Sequence, residues 1–387
     1  MNRRTFLKIA GSSAIIVAAG STGFVATRSP TDALKPWQTP GAQYQDPMQR
    51  SLSYAILAPN PHNRQPWVVE LKTTTEAVLS CDLGRLLPAT DPFSRQIIIG
   101  LGCFLELFSI AAAEQGYMAD IQYFPEGEPQ DRLDSRPIAH LTLKKQDNVA
   151  PDPLFTHILK RHTNRDPYDD NRPITDELSA RLRKAAQGPV HAGVHTGVVN
   201  GGKLQRDLRL LTRDAMVAEI NTPEAYQESI DLMRIGRAEI EANPDGISLG
   251  GAFLEGLNLA GILTRENLAD PASRSFQIGL NMIDQSAMSS MGFVWLTTPG
   301  NTRTEQIEAG RAYMRIALQV AADGLVMQPM SQALQEYDAM APYLKVVHDK
   351  LTNLVGERVQ MLARLGYAKK DIGPAPRWPL KSRIKGS

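Results

Sequence analysis

The spacing of hydrophobic residues in the first half of the chain predicts two pairs of strands separated by a helix. Residues 67–73 and 77–83 are rich in apolar and β-branched side chains and predict a strand pair. Residues 121–124 and 138–143 predict two further strands, the second with clear alternation. Between these pairs, residues 97–116 are apolar on almost every face and end at a glycine, which predicts a buried helix.

A membrane span is the alternative interpretation of residues 97–116. We do not favour it, because the uninterrupted apolar run is shorter than the roughly 20 residues that cross a bilayer. A carboxylate, Glu106, also lies in the middle of the run. We therefore expect this segment to be a core helix of the folded body.

After a polar stretch at 146–153 the pattern partly restarts, which predicts a second unit. Its predicted elements are helices at 154–161, 176–187, 204–242, 281–291, 304–323 and 351–365, and strands at 190–199 and 293–298. Glycine-rich sequence at about 244–274 predicts a mobile loop or lid. We therefore divide the body into a first unit at 47–150 and a second at 151–387, which contains the lid and ends in a C-terminal arm.

Residues 1–30 have the pattern of an export signal. Arg3 and Arg4 precede a Phe-Leu pair, and a weakly apolar stretch follows at 9–26. This order predicts a twin-arginine signal; a general secretory signal with a chance arginine pair is the alternative. No clear Ala-x-Ala cleavage site is present, so a cleaved form and an uncleaved, membrane-tethered form both stay open. Residues 31–46, rich in Pro, Gln and Thr, predict a linker.

This signal predicts a periplasmic or otherwise exported protein with the twin-arginine translocase as a partner. A chain that is exported after folding is often one that must first acquire a cofactor inside the cell. Export thus favours a protein with a bound cofactor.

Composition narrows the function further. Lys and Arg number 42 against 41 Asp and Glu, for a net charge of +1, and no basic run is interleaved with aromatics, so nucleic acid is not an expected partner. The two cysteines, Cys81 and Cys103, lack the spacing of a metal site, and a disulfide between them is left open. The seven histidines show no His-x-x-x-His on a helical face, so we expect no metal site.

An amide-rich loop at 62–67 is the first candidate for chemistry. Prolines hold the shape of this loop, and Asn63 and Gln65 can each donate and accept hydrogen bonds, which suits the edge of a planar heterocycle. The alternative is an ordinary turn in which Asn63 caps locally and Trp67 belongs to the core.

A basic turn at 161–165 is the second candidate. Arg161 and Arg165 flank a hydroxyl and an amide at a helix end, which suits bidentate binding of a phosphate. Arg377, in the C-terminal arm, is a candidate third cation. A solvated basic turn and an exposed tail arginine are the alternatives.

Taken together and in this order, these segments resemble a known family. The similar pieces are 58–67, 161–165, 322–332 and 360–367, followed by Arg377. The chain resembles the nitroreductase-like flavoproteins, and most closely the branch described as Acg-family FMN-binding oxidoreductases. The resemblance covers residues 48–383, which is nearly all of the chain after the signal segment.

The resemblance implies an α+β sandwich around antiparallel sheet, with two related nitroreductase-like units fused in one chain and FMN bound without a covalent link. His62, Asn63 and Gln65 would hold the isoalloxazine and ribityl groups, and the 161–165 turn with Arg377 would grip the phosphate. The backbone at 329–331 would lie near the reactive edge of the ring. The implied FMN-binding residues are His62, Asn63, Gln65, Arg161, Thr163, Asn164, Arg165, Pro329, Met330, Ser331 and Arg377.

The function implied by this resemblance is hydride transfer through flavin N5 to a nitro-aromatic, a quinone or a similar small electron acceptor. The flavin carries the chemistry, so no catalytic side chain is expected. Outside the cytoplasm the electrons would come from a periplasmic or membrane redox donor. A non-catalytic protein that stores, sequesters or senses FMN, and a flavin-free relic of the fold, are the alternative functions.

Overall fold

Two four-stranded antiparallel sheets form the framework of the protein. The structure, a computed structural model, describes residues 28–187 and 193–386. The predicted signal at 1–30 therefore lies almost wholly outside the described residues. The predicted α+β class and the antiparallel pairing are confirmed.

The first sheet belongs to the N-terminal half of the chain. Helices α1 (Lys35–Gln38) and α2 (Pro47–Ala55) come before it. The elements that follow are β1 (Trp67–Leu71), β2 (Glu76–Cys81), α3 (Arg95–Ala113), β3 (Tyr117–Tyr123) and β4 (Ala139–Lys145). The sheet has the strand order β1-β2-β4-β3.

The second sheet is built from the C-terminal half. Its elements are α4 (Asp176–Ala185), β5 (His195–Val199), β8 (Gly292–Thr298), α11 (Arg303–Ala322), β9 (Val326–Pro329) and β10 (Arg358–Gly366), with α12 (Ala341–Leu351) between the last two strands. The strand order is β5-β8-β10-β9. Two strands, a long helix and two strands thus follow one another in both halves, and the strands pair in the same order.

The long helices of the two halves, α3 and α11, pack against each other through glycines. A Cβ atom on Gly102 would lie 2.3 Å from the carbonyl oxygen of Ile307, and one on Gly310 would lie 2.1 Å from that of Ile99. Each contact is the counterpart of the other, because each glycine is the eighth residue of its helix and each isoleucine the fifth. The two halves are therefore related by an approximate two-fold axis at this crossing.

Helix α3 has the length and hydropathy of a membrane span, yet most of it is buried in the fold. Asp91 accepts hydrogen bonds from the backbone N–H groups of Gln96 and Ile97 and so satisfies the first turn of the helix. In the middle of the helix, the carboxylate of Glu106 pairs with Arg311 at 2.8 Å and Arg315 at 2.9 Å. The expectation of a core helix agrees with this placement.

A long insertion separates β5 from β8 in the second half. It consists of α5 (Gly202–Ile220), α6 (Pro223–Asp231), β6 (Met233–Ile235), α7 (Gly236–Ala242), β7 (Ile247–Leu249), α8 (Ala252–Leu259), α9 (Arg265–Ala269) and α10 (Arg274–Met288). The segment at 244–274, predicted as a loop or lid, thus contains one short strand and two short helices.

Three other predictions differ from the structure. The helix predicted at 351–365 is mostly strand β10; a largely apolar stretch in a strand buried on both faces has the same pattern as a buried helix. The helix predicted at 204–242 is three helices and a short strand. The segment predicted as a linker at 31–46 contains α1, and its Trp37 is buried against the body and donates to the carbonyl of Ala375.

Candidate functional site

The loop before β1 has an unusual backbone. His62, Asn63 and Gln65 have φ angles of 47°, 53° and 50°, in the left-handed region that residues other than glycine rarely adopt. The side chain of Asn60 accepts a hydrogen bond from the Gln65 N–H at 2.7 Å across the turn. Such a conformation costs free energy, so surrounding contacts must maintain it.

The amide side chains of this loop supply those contacts. Gln65 is fully buried; its amide donates to the carbonyls of Pro244 at 2.7 Å and Asn63 at 3.3 Å and accepts from the N–H of Trp378 at 2.9 Å. Asn63 donates to the carbonyl of Pro376 at 3.0 Å. The prediction that Gln65 holds the isoalloxazine is therefore corrected. The Gln65 amide connects the loop to the segments at Pro244 and Trp378, and it has no exposed atom that could contact the ring.

Arg377 holds the same loop from the C-terminal arm. It is 2% exposed. Its guanidinium donates to the side-chain oxygen of Asn63 at 2.6 Å and to the main-chain oxygens of Ile56, Leu57, Ala58, Ala375 and Pro376. All five of its N–H groups can therefore be satisfied within the protein. The prediction that Arg377 grips a phosphate is corrected here, because in this structure it positions the loop.

Arg161 meets Arg377 beneath the loop. It is buried and donates to the carbonyl of Leu57 at 3.2 Å, the same oxygen that accepts from Arg377 at 3.1 Å. Both guanidinium groups also lie over the ring of Trp37, at 5.7 Å and 5.2 Å from its centroid. Burial lowers the pKa of both arginines from the ordinary value, and the charge of Arg161 lowers that of Arg377 further.

The 161–165 turn is held beside β9. The N–H of Asn164 donates to the carbonyl of Met327 at 3.2 Å, and its side-chain oxygen accepts from the N–H of Asp166 at 2.9 Å. Asn164 is 1% exposed, so its amide shapes the turn. Thr163 forms an isolated bridge with Met327 and is only partly buried. The hydroxyl of Thr163 therefore stays available at the surface of the turn.

A second buried arginine, Arg364 on β10, secures this turn. Its guanidinium donates to the side chain of Gln328 and to the carbonyls of Ser286, Asn164 and Asp166 at 2.6–3.5 Å. It lies 3.8 Å from the ring centroid of Tyr168. Asn164 and Asp166 are the neighbours of Arg165 in the chain. By holding their carbonyls, Arg364 fixes the backbone from which the Arg165 side chain projects.

Two polar groups of this region have no partner among the residues that the structure describes. Arg165 is exposed, and within residues 28–187 and 193–386 its guanidinium makes no hydrogen bond or ion pair. The Nδ1 atom of His62 is buried without a hydrogen-bond partner. Burial and then the guanidinium groups of Arg165 and Arg64 lower the pKa of His62 to about 4, which places the imidazole close to these cations.

Positive charge accumulates here without acidic compensation. In the part of the chain that the structure describes, no carboxylate forms an ion pair with Arg161, Arg165 or Arg377. Buried arginines in proteins normally have such a partner, as Arg311 has in Glu106. An unpaired cluster with a free guanidinium and an orphaned imidazole nitrogen is therefore suited to a bound anion.

The remaining predicted residues lie at the end of β9. Pro329 pairs with Ala363 of β10. The N–H of Met330 donates to the carbonyl of Leu362 at 2.8 Å, and the Met330 side chain is buried in an apolar cluster. Ser331 begins a short 3-10 turn and is partly exposed. Since Met327, on the same strand, bonds to Asn164, this strand end and the basic turn belong to one region of the second sheet.

The prediction from sequence missed Arg364 and the contacts of residues 244–246. Asp245 pairs with Arg85 at 2.5 Å and Arg234 at 3.0 Å, and the N–H of Gly246 donates to the carbonyl of Asn63 at 3.3 Å. Arg364 carried one signal, a charge within a largely apolar stretch. Nothing in the local sequence indicated that residues 244–246 contact the 62–65 loop.

The described residues contain no group of three or more metal-ligating side chains. Cys81 and Cys103 are both buried and unbonded to each other, and burial raises the pKa of both thiols. Among the described residues, the cluster of arginines with His62 is thus the main chemical feature of the site.

The chain is similar in sequence to proteins that are named as NAD(P)H nitroreductases. No family model matches the chain. A Mycobacterium tuberculosis protein whose name describes it as a candidate NAD(P)H nitroreductase is 26% identical over 335 residues, 85% of this chain and 87% of the relative. The candidate NAD(P)H nitroreductase acg of the same organism is 32% identical over 140 residues, 36% of this chain and 40% of its own. A solved structure, the FMN-dependent nitroreductase NfnB of Mycobacterium smegmatis with NADPH, is 18% identical at a TM-score of 0.36 and matches 59% of this chain and 94% of its own.

Proposed function

This chain belongs to the nitroreductase-like family, and we propose that it is an exported FMN-dependent oxidoreductase. FMN, when bound, would supply the chemistry by passing a hydride from N5 to a nitro-aromatic, a quinone or a similar small acceptor. The protein would bind the cofactor, orient it and limit the access of water. No side chain is required as a general acid, because solvent can supply protons.

The observation that carries this proposal is the cluster of Arg161, Arg165 and Arg377, with which no carboxylate of the described chain forms an ion pair. A flavin mononucleotide presents a phosphate, and a phosphate is bound best by guanidinium groups and hydroxyls at a turn. Arg165 has free donors, Thr163 has a surface hydroxyl, and Arg161 adds buried positive charge behind them. These residues fit a phosphate.

His62 fits the remainder of the cofactor. Its Nδ1 atom has no partner among the described residues, and the low pKa keeps the imidazole neutral at pH 7, so this atom can donate or accept one hydrogen bond. The residues that would hold FMN are therefore His62, Thr163 and Arg165. Gln65, Arg364 and Arg377 would act by holding the two loops.

The source of electrons follows from the proposed location. If the twin-arginine pattern of Arg3 and Arg4 directs export, the folded protein works where soluble NAD(P)H is scarce. The donor would then be a periplasmic or membrane redox partner. Changing both arginines to lysine should retain the protein in the cytoplasm in a cell-fractionation experiment, and unchanged export would contradict this part of the proposal.

FMN binding is tested by comparing two flavins that differ only in the phosphate. Arg165→Gln should weaken FMN binding about 10- to 100-fold, the effect of losing a charge-assisted hydrogen bond of about 1.5–3 kcal/mol. The same variant should leave riboflavin affinity unchanged. Arg206→Gln, on an exposed part of α5, is the matched control. Both affinities come from the quenching of flavin fluorescence, and equal effects on both flavins would contradict phosphate binding by Arg165.

A second candidate function, storage or sequestration of FMN without turnover, is favoured by one contact. Residues 244–246 lie on the 62–65 loop through Pro244 and Gly246, so the insertion partly covers this side of the proposed site. Anaerobic reduction of the FMN-loaded protein with dithionite, followed by a nitro-aromatic or a quinone, distinguishes the two functions. Reoxidation that accelerates with acceptor concentration supports the oxidoreductase, and a rate that does not respond to acceptor supports storage.

A further inference from the structure

Helix α8, in the insertion, buries its acidic residue and exposes large apolar ones. Glu255 is its one buried residue, and the carboxylate binds the guanidinium of Arg28 at 2.8 Å and the N–H of Arg237 at 3.2 Å. Phe253, two residues earlier and so on the opposite side of the helix, is 76% exposed. A helix that buries its acid and exposes its phenylalanine is typical of one whose outer face meets an apolar partner.

The apolar surface continues from α8 onto α10. Leu257 lies one turn after Phe253, and its carbonyl accepts from the N–H of Ile262 at 2.9 Å. The carbonyl of Ile262 in turn accepts from the hydroxyl of Ser275, at the start of α10, at 2.8 Å. We name this surface the apolar stripe; its exposed members are Phe253, Ile262, Ile278 and Met282, with exposures of 46–76%.

Two features of the chain indicate what this stripe meets. The residues before Arg28 contain the apolar stretch at 9–26, and Arg28 itself binds Glu255 on α8. The described chain therefore begins, at Arg28, with a contact to α8, two residues from Phe253. Arg274, exposed and one turn before Ile278 on the same face of α10, places a positive charge at one end of the stripe.

We propose that the apolar stripe docks on the surface of a phospholipid bilayer. In this arrangement Phe253, Ile278 and Met282 enter the boundary between headgroups and acyl chains, and Arg274 contacts lipid phosphates. The apolar segment at 9–26 delivers the protein to the membrane, and the stripe fixes its orientation there. A lone apolar segment would leave the body free to rotate, whereas two contacts hold one face of the insertion toward the lipid.

The test uses the full chain with an environment-sensitive label at one stripe position. Cys81 and Cys103 are buried and have raised thiol pKa values, so a bimane label attaches selectively to Phe253→Cys in the folded protein. Leu354→Cys, 73% exposed and outside the stripe, is the matched control. Vesicles contain phosphatidylethanolamine and phosphatidylglycerol, with or without brominated acyl chains, which quench bimane only in contact with lipid.

We expect a blue shift of the label at position 253 on addition of vesicles and quenching by the brominated lipid, and neither effect at position 354. Adding Ile278→Asn and Met282→Asn should abolish the quenching at 253, although the 9–26 segment still binds the vesicles. A label at 253 that is unquenched while the protein is vesicle-bound overturns the proposal. A blue shift before lipid is added also overturns it. If that shift depends on protein concentration, a second copy of the chain covers the stripe. If the shift is independent of concentration, the chain's own N-terminal segment covers it. Because the readout is fluorescence of the label, its result is independent of flavin binding.

Discussion

Arg161 and Arg377 donate hydrogen bonds to one carbonyl oxygen, that of Leu57, although they lie more than 200 residues apart in the chain. Two buried guanidinium groups on one acceptor repel each other, and no carboxylate among the described residues pairs with either. The contact is maintained because both arginines also lie over the Trp37 ring and because Arg377 satisfies its donors on Asn63 and on nearby main-chain oxygens. The arrangement concentrates positive charge under the 62–65 loop.

Arg377→Lys should therefore destabilise the protein even though it keeps the charge. A lysine ammonium has three donors on one atom and cannot reach carbonyls on residues 56–58 and Asn63 at once. We expect a loss of about 3–5 kcal/mol in the free energy of unfolding, the range for a buried charge that loses its partners. Urea denaturation measures this loss, and Arg206→Lys, at an exposed position of α5, should change it by less than about 0.5 kcal/mol. A similar small change for Arg377→Lys would contradict the positioning role.

His62 should make the stability of the flavin-free protein pH-dependent. Its pKa is about 4 in the folded state against an ordinary 6.5, so below pH 6.5 the unfolded chain binds more protons. The free energy of unfolding should fall as the pH drops from about 6.5 to 4, by at most about 3 kcal/mol from this group.

His62→Gln isolates that contribution. Asp91 and Glu219 have raised pKa values of about 6 and 7 and act in the opposite direction, so the informative quantity is the difference between the wild type and the variant at each pH. That difference should change between pH 6.5 and 4 and stay constant above pH 7. A flat difference across the whole range would mean that His62 titrates normally in the folded protein.

Alanine substitution should destabilise the protein at the two glycines of the α3–α11 crossing and stabilise it at a helical glycine with free space around it. Gly102→Ala and Gly310→Ala each place a methyl group within 2.3 Å of a backbone oxygen, so the helices must separate. We expect each to cost about 1–3 kcal/mol, as overpacking does. Gly279→Ala, in α10 with no atom within 4 Å of the new carbon, should instead stabilise by up to about 1 kcal/mol. Thermal denaturation of the three variants compares them, and a cost at only one of positions 102 and 310 would contradict the two-fold relationship.

Much of the fold was accessible from sequence because its signals are local. Helix α3 was predicted from its apolar run, and β1 and β2 from short apolar and β-branched segments. Strand β10 was predicted wrongly as a helix, since a strand with neighbours on both edges and both faces covered loses its alternation.

The candidate site was only partly accessible, for a different reason. The positions of Arg165 and His62 follow from motifs, but the partners of Gln65 lie 179 and 313 residues away in the chain. A motif shows that a polar residue is present and does not show whether its hydrogen bonds are already used. This is why Gln65 and Arg377 were assigned to a ligand and are found to hold the loop.

Arg364 should act on FMN binding through the Arg165 turn. Its guanidinium holds the carbonyls of Asn164 and Asp166, so Arg364→Lys loosens the backbone on both sides of Arg165 without removing a ligand-binding group. We expect FMN affinity to fall about ten-fold, since a mobile turn must be ordered again when the phosphate binds. Riboflavin affinity should change far less. The decisive measurement is a double-mutant cycle with Arg165→Gln: if Arg364 acts only by positioning Arg165, its substitution should have little further effect on FMN affinity once Arg165 is gone. Fully additive losses would mean that Arg364 supports the site by another route.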